Sequence, residues 1–340
     1  MRILFMGTPD FAVPILKTLA DKKNGHEVVA VVTQPDRPKG RSGRSVTYSA
    51  VKECAMELGL PVFQPEKIRT DNDFMDKITA ESVPANDRPS SAYEADIFVV
   101  VAYGQLLPER ILKIPPMGCI NIHASLLPKY RGAAPMQRAI LNGEPVTGVT
   151  IMHMDKGMDT GDMILKKTLD IEPADRFIDL HDKMSALSCE CIVEALRLIE
   201  SGCAQREPQN HEDATYAPML TKEDGLIDWS GPTSRIMNQV RALDPWPGTY
   251  TYHDGQMLKI WACDIWEPDG SFSDTSGIAG DVCISGIDEL AGEVLESGKH
   301  LLVRTGDGIL RVTELQGQGG KRMKAEDYLR GRSIPLGTRL

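Results

Sequence analysis

The chain has 340 residues, 41% hydrophobic and 25% charged, which is ordinary for a soluble globular protein and long enough for two domains. A formal net charge of −10 excludes indiscriminate coating of nucleic acid, so any polyanion has to meet a local basic patch. Seven scattered cysteines with no CxxC pair exclude a disulfide framework and fit reduced thiols in the cytoplasm.

Arg2–Met6 is a short apolar run ending at Gly7 and reads as a buried strand. The opening MRILFMGTPDF lacks the basic and long apolar regions of a signal peptide, and no apolar run approaches the ~20 residues of a membrane span. Phe11–Ala20 has helical spacing, with Pro14 tolerable in its first turn. Val28–Thr33 reads as a β-branched strand, Ser49–Leu58 as a helix and Pro61–Phe63 as a third strand. Thr79–Tyr93 is polar and proline-rich, as expected of a long exposed loop. Strands follow at Asp96–Ala102 and Cys119–His123, then a helix at Pro135–Asn142 and an alternating strand at Val146–Met154. This alternation predicts an α/β domain with a mostly parallel sheet, which binds ligands beyond the C-terminal ends of its strands. Phe177–Ser201 is a long amphipathic helix that breaks at Gly202. The polar stretch after it reads as a linker. Beyond it come a helix at Thr233–Leu243 and short alternating segments at Thr249–Tyr252, Leu258–Ile265, Gly292–Leu295, Leu301–Arg304 and Leu310–Leu315. They predict a small β-barrel or sandwich. The expected division is residues 1–202, a linker over 203–219, and residues 220–340.

The chemistry concentrates in NIHASLLPKYRGAAP, Asn121–Pro135. Asn121 and His123 stand two residues apart at a strand end, so both side chains leave one face of the sheet. An amide N–H stabilises an oxyanion, and an imidazole moves a proton near neutral pH. Both are parts of an acyl-transfer site. A satisfied strand-end histidine and a turn-capping asparagine are the plainer uses. In Thr147–Asp162, Gly157 and Gly161 bracket Asp159 in a tightly turning loop. A carboxylate there can orient His123 or pass its proton to water, although Asp155, Asp159 and Asp162 also suit turns and caps. His153 and Asp155 lack a third ligand of clear spacing, so no metal is expected. MGTPDF contains one glycine instead of a G-x-G-x-x-G fingerprint, which opposes a nicotinamide-dependent oxidoreductase. Between Arg37 and Arg44, four cations (Arg37, Lys39, Arg41 and Arg44) stand without an acid. An exposed basic loop at a strand's C-terminal end suits phosphate. A second basic cluster, Lys321, Arg322 and Lys324, follows Gly319-Gly320.

At these residues the sequence closely resembles the methionyl-tRNA formyltransferases, over nearly its full length. The matching stretches are RILFMGTPDFAVP, VVTQPDRPKGRS, VVVAYGQLLP, NIHASLLPKYRGAAP, TGVTIMHMDKGMDTGD, TYAPMLTKEDGLIDW and GKRMKAEDYLRG. The Asn–x–His–x–Ser–Leu–Leu–Pro block and the Asp159 loop are shared by folate-dependent formyltransferases. The opening motif, the basic loop and the second domain narrow the likeness to the tRNA enzymes. The resemblance implies a Rossmann-like formyltransferase domain followed by a small OB-like β-barrel that binds tRNA. It implies transfer of the formyl group of 10-formyltetrahydrofolate to the α-amine of methionyl initiator tRNA, with no metal. By motif it makes Asn121, His123 and Asp159 the catalytic trio. It sets Ser125, Leu126, Leu127 and Pro128 around the folate, with Val101, Ala102, Tyr103 and Gly104. It gives tRNA contacts to Arg37, Lys39, Arg41 and Arg44, and to Lys321, Arg322 and Lys324. A cytoplasmic monomer without membrane contact is expected. Thr79–Tyr93 is longer than in the family pattern.

The nearest alternatives are a folate formyltransferase acting on a purine precursor or an amino sugar, and a formylfolate hydrolase. These would share the trio without needing the basic loop or the second domain. A non-catalytic RNA-binding protein would keep the basic loop and use the trio only structurally.

Overall fold

The computed structural model describes residues 1–39, 45–79, 93–267, 272–273 and 290–340. The first half builds one seven-stranded sheet. Its strands are β1 (Arg2–Gly7), β2 (Glu27–Val32), β3 (Val62–Phe63), β4 (Ile97–Val101), β5 (Cys119–His123), β6 (Val146–His153) and β7 (Met163–Asp170). Their order across the sheet is β7-β6-β5-β4-β1-β2-β3. Neighbours from β3 to β5 are parallel, and β6 runs antiparallel to β5. β1, β2 and β4 are buried almost end to end, because a parallel sheet is covered on both faces. The chain leaves β1 to one side for β2 and β3 and returns to the other for β4. The switch point therefore lies between β1 and β4, where such sheets take their ligands. Gly7-Thr8, Ala102–Gly104 and His123 stand at strand ends along this edge. The Thr8 hydroxyl donates to the Tyr103 carbonyl at 2.9 Å and the Gln34 amide donates to the same oxygen at 3.1 Å. Three strand ends are thereby tied together.

Local sequence explains the flanking helices. Pro14 sits in the first turn of the helix Val13–Ala20, where its missing N–H has no intrahelical partner to lose. Ser49 caps Ala50–Glu57 by accepting the Lys52 N–H at 3.0 Å. Several elements go beyond the reading of the sequence. β7 (MILKKTLD) is an edge strand with mixed burial, and the helix Asn72–Thr79 buries only Phe74 and Ile78. The helix Ala325–Gly331 buries Ala325 alone. Each carries too few apolar positions for a clear period. Arg37–Lys39, expected as part of the basic loop, pairs instead with Ser45–Thr47 as two antiparallel strands. The expected Thr79–Tyr93 loop falls outside the described residues over 80–92.

The chain divides into two compact units, one of residues 1–132, 147–169 and 181–217, the other of 133–146, 170–180 and 218–340. Residues 203–217, read as linker, belong to the first unit. Glu207 bridges Met163, Gln209 is buried, and Tyr216–Ala217 pairs in parallel with Arg131–Gly132. Polar bonds hold this stretch, so hydrophobic periodicity does not reveal it. The second unit holds an antiparallel sheet running Thr249–His253, Gln256–Trp266, Ile309–Gly317, Leu301–Arg304, Val294–Ser297. Leu258, Ile260, Leu301, Val303, Leu310 and Val312 form its core with Ile236 and Val240 of the helix Thr233–Ala242. No helix among the described residues is long and apolar enough to cross a membrane.

Candidate active site

His123 ends β5, opposite Thr150 of β6, and is 5% exposed. Its Nε2 lies 2.9 Å from the Tyr130 carbonyl oxygen. A carbonyl only accepts, so Nε2 carries a proton and donates it. In the neutral ring the open lone pair is therefore on Nδ1. Nδ1 faces Asp159 Oδ2 at 3.7 Å, too far for a hydrogen bond but close enough to stabilise an imidazolium. The sequence leaves open whether His123 acts as a base or donates to an oxyanion; the Tyr130 carbonyl leaves Nδ1 as the nitrogen not already engaged.

Asp159 has φ 54, a left-handed backbone that aspartate adopts more readily than most residues. Its Oδ2 accepts the Gly132 N–H at 2.8 Å. Gly132 needs to be glycine twice over: its φ is 117, and a Cβ would stand 2.8 Å from the Ala217 carbonyl oxygen. Asp155 takes the turn role: its Oδ1 accepts from the Gly157 N–H at 2.9 Å and the Thr160 hydroxyl at 2.6 Å. Of the loop's acids, Asp159 is the one ion-paired to His123.

Asn121 is half-buried two residues before His123, between Val100 and Met152. Its amide makes no hydrogen bond among the described residues, so its N–H groups are available beside the imidazole. The Ser125–Pro128 turn is built from beneath. The Ser125 hydroxyl donates to the Lys129 carbonyl at 2.6 Å. The Thr150 hydroxyl donates to the Ser125 carbonyl at 2.7 Å and accepts the Leu127 N–H at 3.1 Å. Leu127 packs with Met152 and Met163.

Burial separates the eight residues expected around the folate. Val101, Tyr103, Ser125 and Leu127 are buried, whereas Leu126 and Pro128 are half-buried and Ala102 and Gly104 exposed. The first four are closed off from solvent, whereas the other four lie on accessible surface at this edge of the sheet. Burial also pushes the Tyr103 phenol well above its usual range. Cys119, on the same strand as Asn121, has its thiol pushed up to about 12 by burial, so it is no nucleophile at neutral pH. Among the described residues no His, Cys, Asp and Glu cluster is arranged to hold a metal.

The expected tRNA-contacting residues divide as well. Arg37 is exposed on the hairpin, and Lys39 pairs through its backbone with Ser45. Arg41 and Arg44 lie outside the described residues. Lys321 and Lys324 are exposed. Arg322 is already engaged, 2.7 Å from Glu314, 2.9 Å from Asp244 and 5.2 Å over the Trp261 ring. Its location in a pairing network weakens the expectation that it is free for phosphate.

Residues 1–196 match the family model for formyl transferase, and residues 219–333 match that for its C-terminal domain. The chain belongs to the formyl transferase family. A methionyl-tRNA formyltransferase of Caldanaerobacter subterraneus subsp. tengcongensis is 46% identical over 99% of both chains. Another, of Desulforamulus reducens, is 48% identical over 99% of this chain and 97% of its own. Among solved structures, the N-formyltransferase of Helicobacter canadensis, in complex with folinic acid and dTDP-3-aminofucose, superposes with a TM-score of 0.60. It is 18% identical and covers 91% of this chain and 98% of its own. HypX from Aquifex aeolicus in complex with tetrahydrofolic acid gives a TM-score of 0.58 at 18% identity, over 97% of this chain and 47% of its own. At such identity these two likenesses speak for the fold alone.

Within this formyl transferase site, sequence reasoning missed Tyr130, Gly132, Arg131 and Gln209. Three of them stand in the motif that drew attention to His123. Gln209 lies in a polar stretch with no periodicity, and nothing in the sequence marks it.

Proposed function

We propose that this chain transfers the formyl group of 10-formyltetrahydrofolate to the α-amine of methionyl initiator tRNA. The observation that carries the reaction is the imidazole of His123, with one nitrogen spent on a carbonyl and the other open, facing a carboxylate. The full-length relatives at 46% and 48% identity, both methionyl-tRNA formyltransferases, favour this amine over a sugar or purine amine.

An α-amine has a reference pKa of about 7.7–8.0, so a useful fraction is neutral at physiological pH. Its nitrogen attacks the formyl carbon, and the carbonyl electrons move to oxygen. The Asn121 amide donates to that oxyanion, a contribution on the order of 10²–10³ in rate. Nδ1 of His123 takes the proton shed by the amine, and Asp159 stabilises the resulting imidazolium. Collapse restores the carbonyl and breaks the bond to the folate nitrogen, which regains a proton. The folate lies against Ala102, Gly104, Leu126 and Pro128, while Val101, Tyr103, Ser125 and Leu127 hold that surface in shape. Arg37, Lys39, Arg41 and Arg44 meet the tRNA backbone, as do Lys321 and Lys324. The first unit, which carries the expected 1–202 on to Ala217, serves as the catalytic domain and residues 220–340 as the tRNA-binding domain. The setting we assign is a monomer in the cytoplasm.

The test is transfer of labelled formyl from 10-formyltetrahydrofolate to charged initiator tRNA. Transfer to a sugar-nucleotide or purine-precursor amine instead, or release of free formate alone, would falsify this reading.

A further inference from the structure

Asp159 holds a backbone conformation that most side chains disfavour. Something outside the loop has to impose it. The Gln209 amide nitrogen donates to the Asp159 carbonyl at 2.9 Å and to the Gly161 carbonyl at 2.8 Å, gathering both sides of the turn. The amide oxygen of Gln209 accepts from Arg131 Nε at 3.0 Å and Nη2 at 2.7 Å. A guanidinium offers only donors, so the oxygen has to face Arg131 and the nitrogen has to face the loop. Both residues are nearly inaccessible, Arg131 at 2% and Gln209 at 6%. Arg131 also reaches His211 Nδ1 at 3.2 Å, and makes no ion pair with a carboxylate among the described residues. A buried cation without an acid is a costly way to stabilise a fold, which apolar packing does as well.

Its neighbours show what it gains. The carbonyl of Tyr130 takes the His123 Nε2 proton, and the N–H of Gly132 takes the Asp159 carboxylate. Arg131 stands between them and, through Gln209, fixes the Asp159 main chain. The tripeptide Tyr130–Gly132 thus holds the imidazole, the carboxylate and the backbone of the carboxylate's loop.

We propose that Gln209, oriented by Arg131, is the positioning residue that sets Asp159 against His123. It touches no reacting atom. The inference rests on the reading of Asn121, His123 and Asp159 as the catalytic trio. It places a residue from beyond the last long helix of the catalytic domain in the service of proton transfer.

The test uses the full chain and two variants. Gln209→Glu keeps an acceptor for Arg131 and removes both donors to the loop. Gln209→Asn keeps both groups but is one methylene too short to reach both sides. Each variant is expected to fold cooperatively with a modestly lowered melting midpoint, since two buried carbonyls lose a donor, and to keep the KM values for formyl donor and tRNA nearly unchanged. Each is expected to lose about 10–100-fold in kcat, the scale of a 1 Å misplacement of a catalytic group. His123→Ala is measured alongside. If His123→Ala is inactive while both Gln209 variants turn over like the parent, the positioning role is wrong and the trio stands. A rise in KM with kcat unchanged would make Gln209 a binding-loop residue and also overturn the proposal. Full activity of His123→Ala would remove the trio itself.

Discussion

His123 and Asp159 are held by main-chain groups, a carbonyl on one nitrogen and an N–H on the carboxylate. The ring is therefore fixed in tautomer before any substrate arrives. Replacing His123 with alanine is expected to cut kcat by about 10²–10⁴-fold, the usual weight of a general acid–base group, while the KM for the formyl donor stays close to the parent's. Steady-state kinetics decide it, and parental turnover would return the ring to a structural part. The glycines that shape the loop are as constrained as the acids. A Cβ on Gly161 would stand 1.8 Å from the His153 carbonyl oxygen, so Gly161→Ala has to move main chain. Overpacking of this kind costs about 1–3 kcal/mol, read as a lower denaturant midpoint at constant slope. An unshifted midpoint would show that the turn yields freely. As candidates, Asn121 and His123 stood out in the sequence as polar residues in an apolar strand, and Asp159 as an acid bracketed by two glycines. Gln209 did not, because its partners stand far away along the chain and local pattern does not encode them.

The basic hairpin shows what an element adds to its residues. Its two feet meet at Lys52, in the helix Ala50–Glu57. Lys52 Nζ lies 2.6 Å from Asp36 Oδ2, just before the first strand, and 4.2 Å from the ring centre of Tyr48, just after the second. Gln64 joins by donating to Asp36 Oδ1 at 2.8 Å and to the Gln34 carbonyl at 2.9 Å. Bonds from Gln64 first, and Lys52 next, hold the Asp36 carboxyl below its ordinary value of 3.8. A carboxyl lowered on folding stabilises the hairpin base fully above its unfolded value. That contribution is lost as pH falls through the lower folded value. Lys52→Met is expected to reproduce the loss at neutral pH. Amide hydrogens of Arg37, Lys39 and Ser45–Thr47 should then exchange faster, and KM for tRNA should rise with KM for the formyl donor unchanged. Parental exchange rates at those amides would sink the clamp. The fold was legible where burial was continuous: β1, β2, β4 and β5 coincide with their apolar runs to within about a residue at either end. It was hidden where half-polar elements such as β7 or the hairpin draw stability from distant or polar partners.

At the scale of the whole molecule, a chain of net charge −10 has to bind a polyanion through patches that outweigh its average field. Arg37, Lys321, Arg322 and Lys324 are all exposed, but Arg322 differs in being already engaged by neighbouring side chains. Its guanidinium joins Glu314 and Asp244 and covers Trp261, which also lies 5.0 Å from Lys259 Nζ. Asp244 also meets Arg176 at 3.5 Å, so the acid at the centre of this network already has two cations. The two kinds of cation respond differently to substitution. Lys321→Ala and Lys324→Ala should weaken tRNA binding and leave the melting midpoint alone. Each should also flatten the dependence of log affinity on log salt, by about 0.7–0.9 for every phosphate no longer neutralised. Arg322→Ala should lower the midpoint by removing a guanidinium that packs and pairs, with little change in salt slope, because that charge is already neutralised within the protein. Binding isotherms across a salt series, with melting curves on the same samples, separate the two. If Arg322→Ala flattened the slope and left the midpoint unmoved, Glu314 and Asp244 would be partners it gives up readily, and the basic patch would extend across that network.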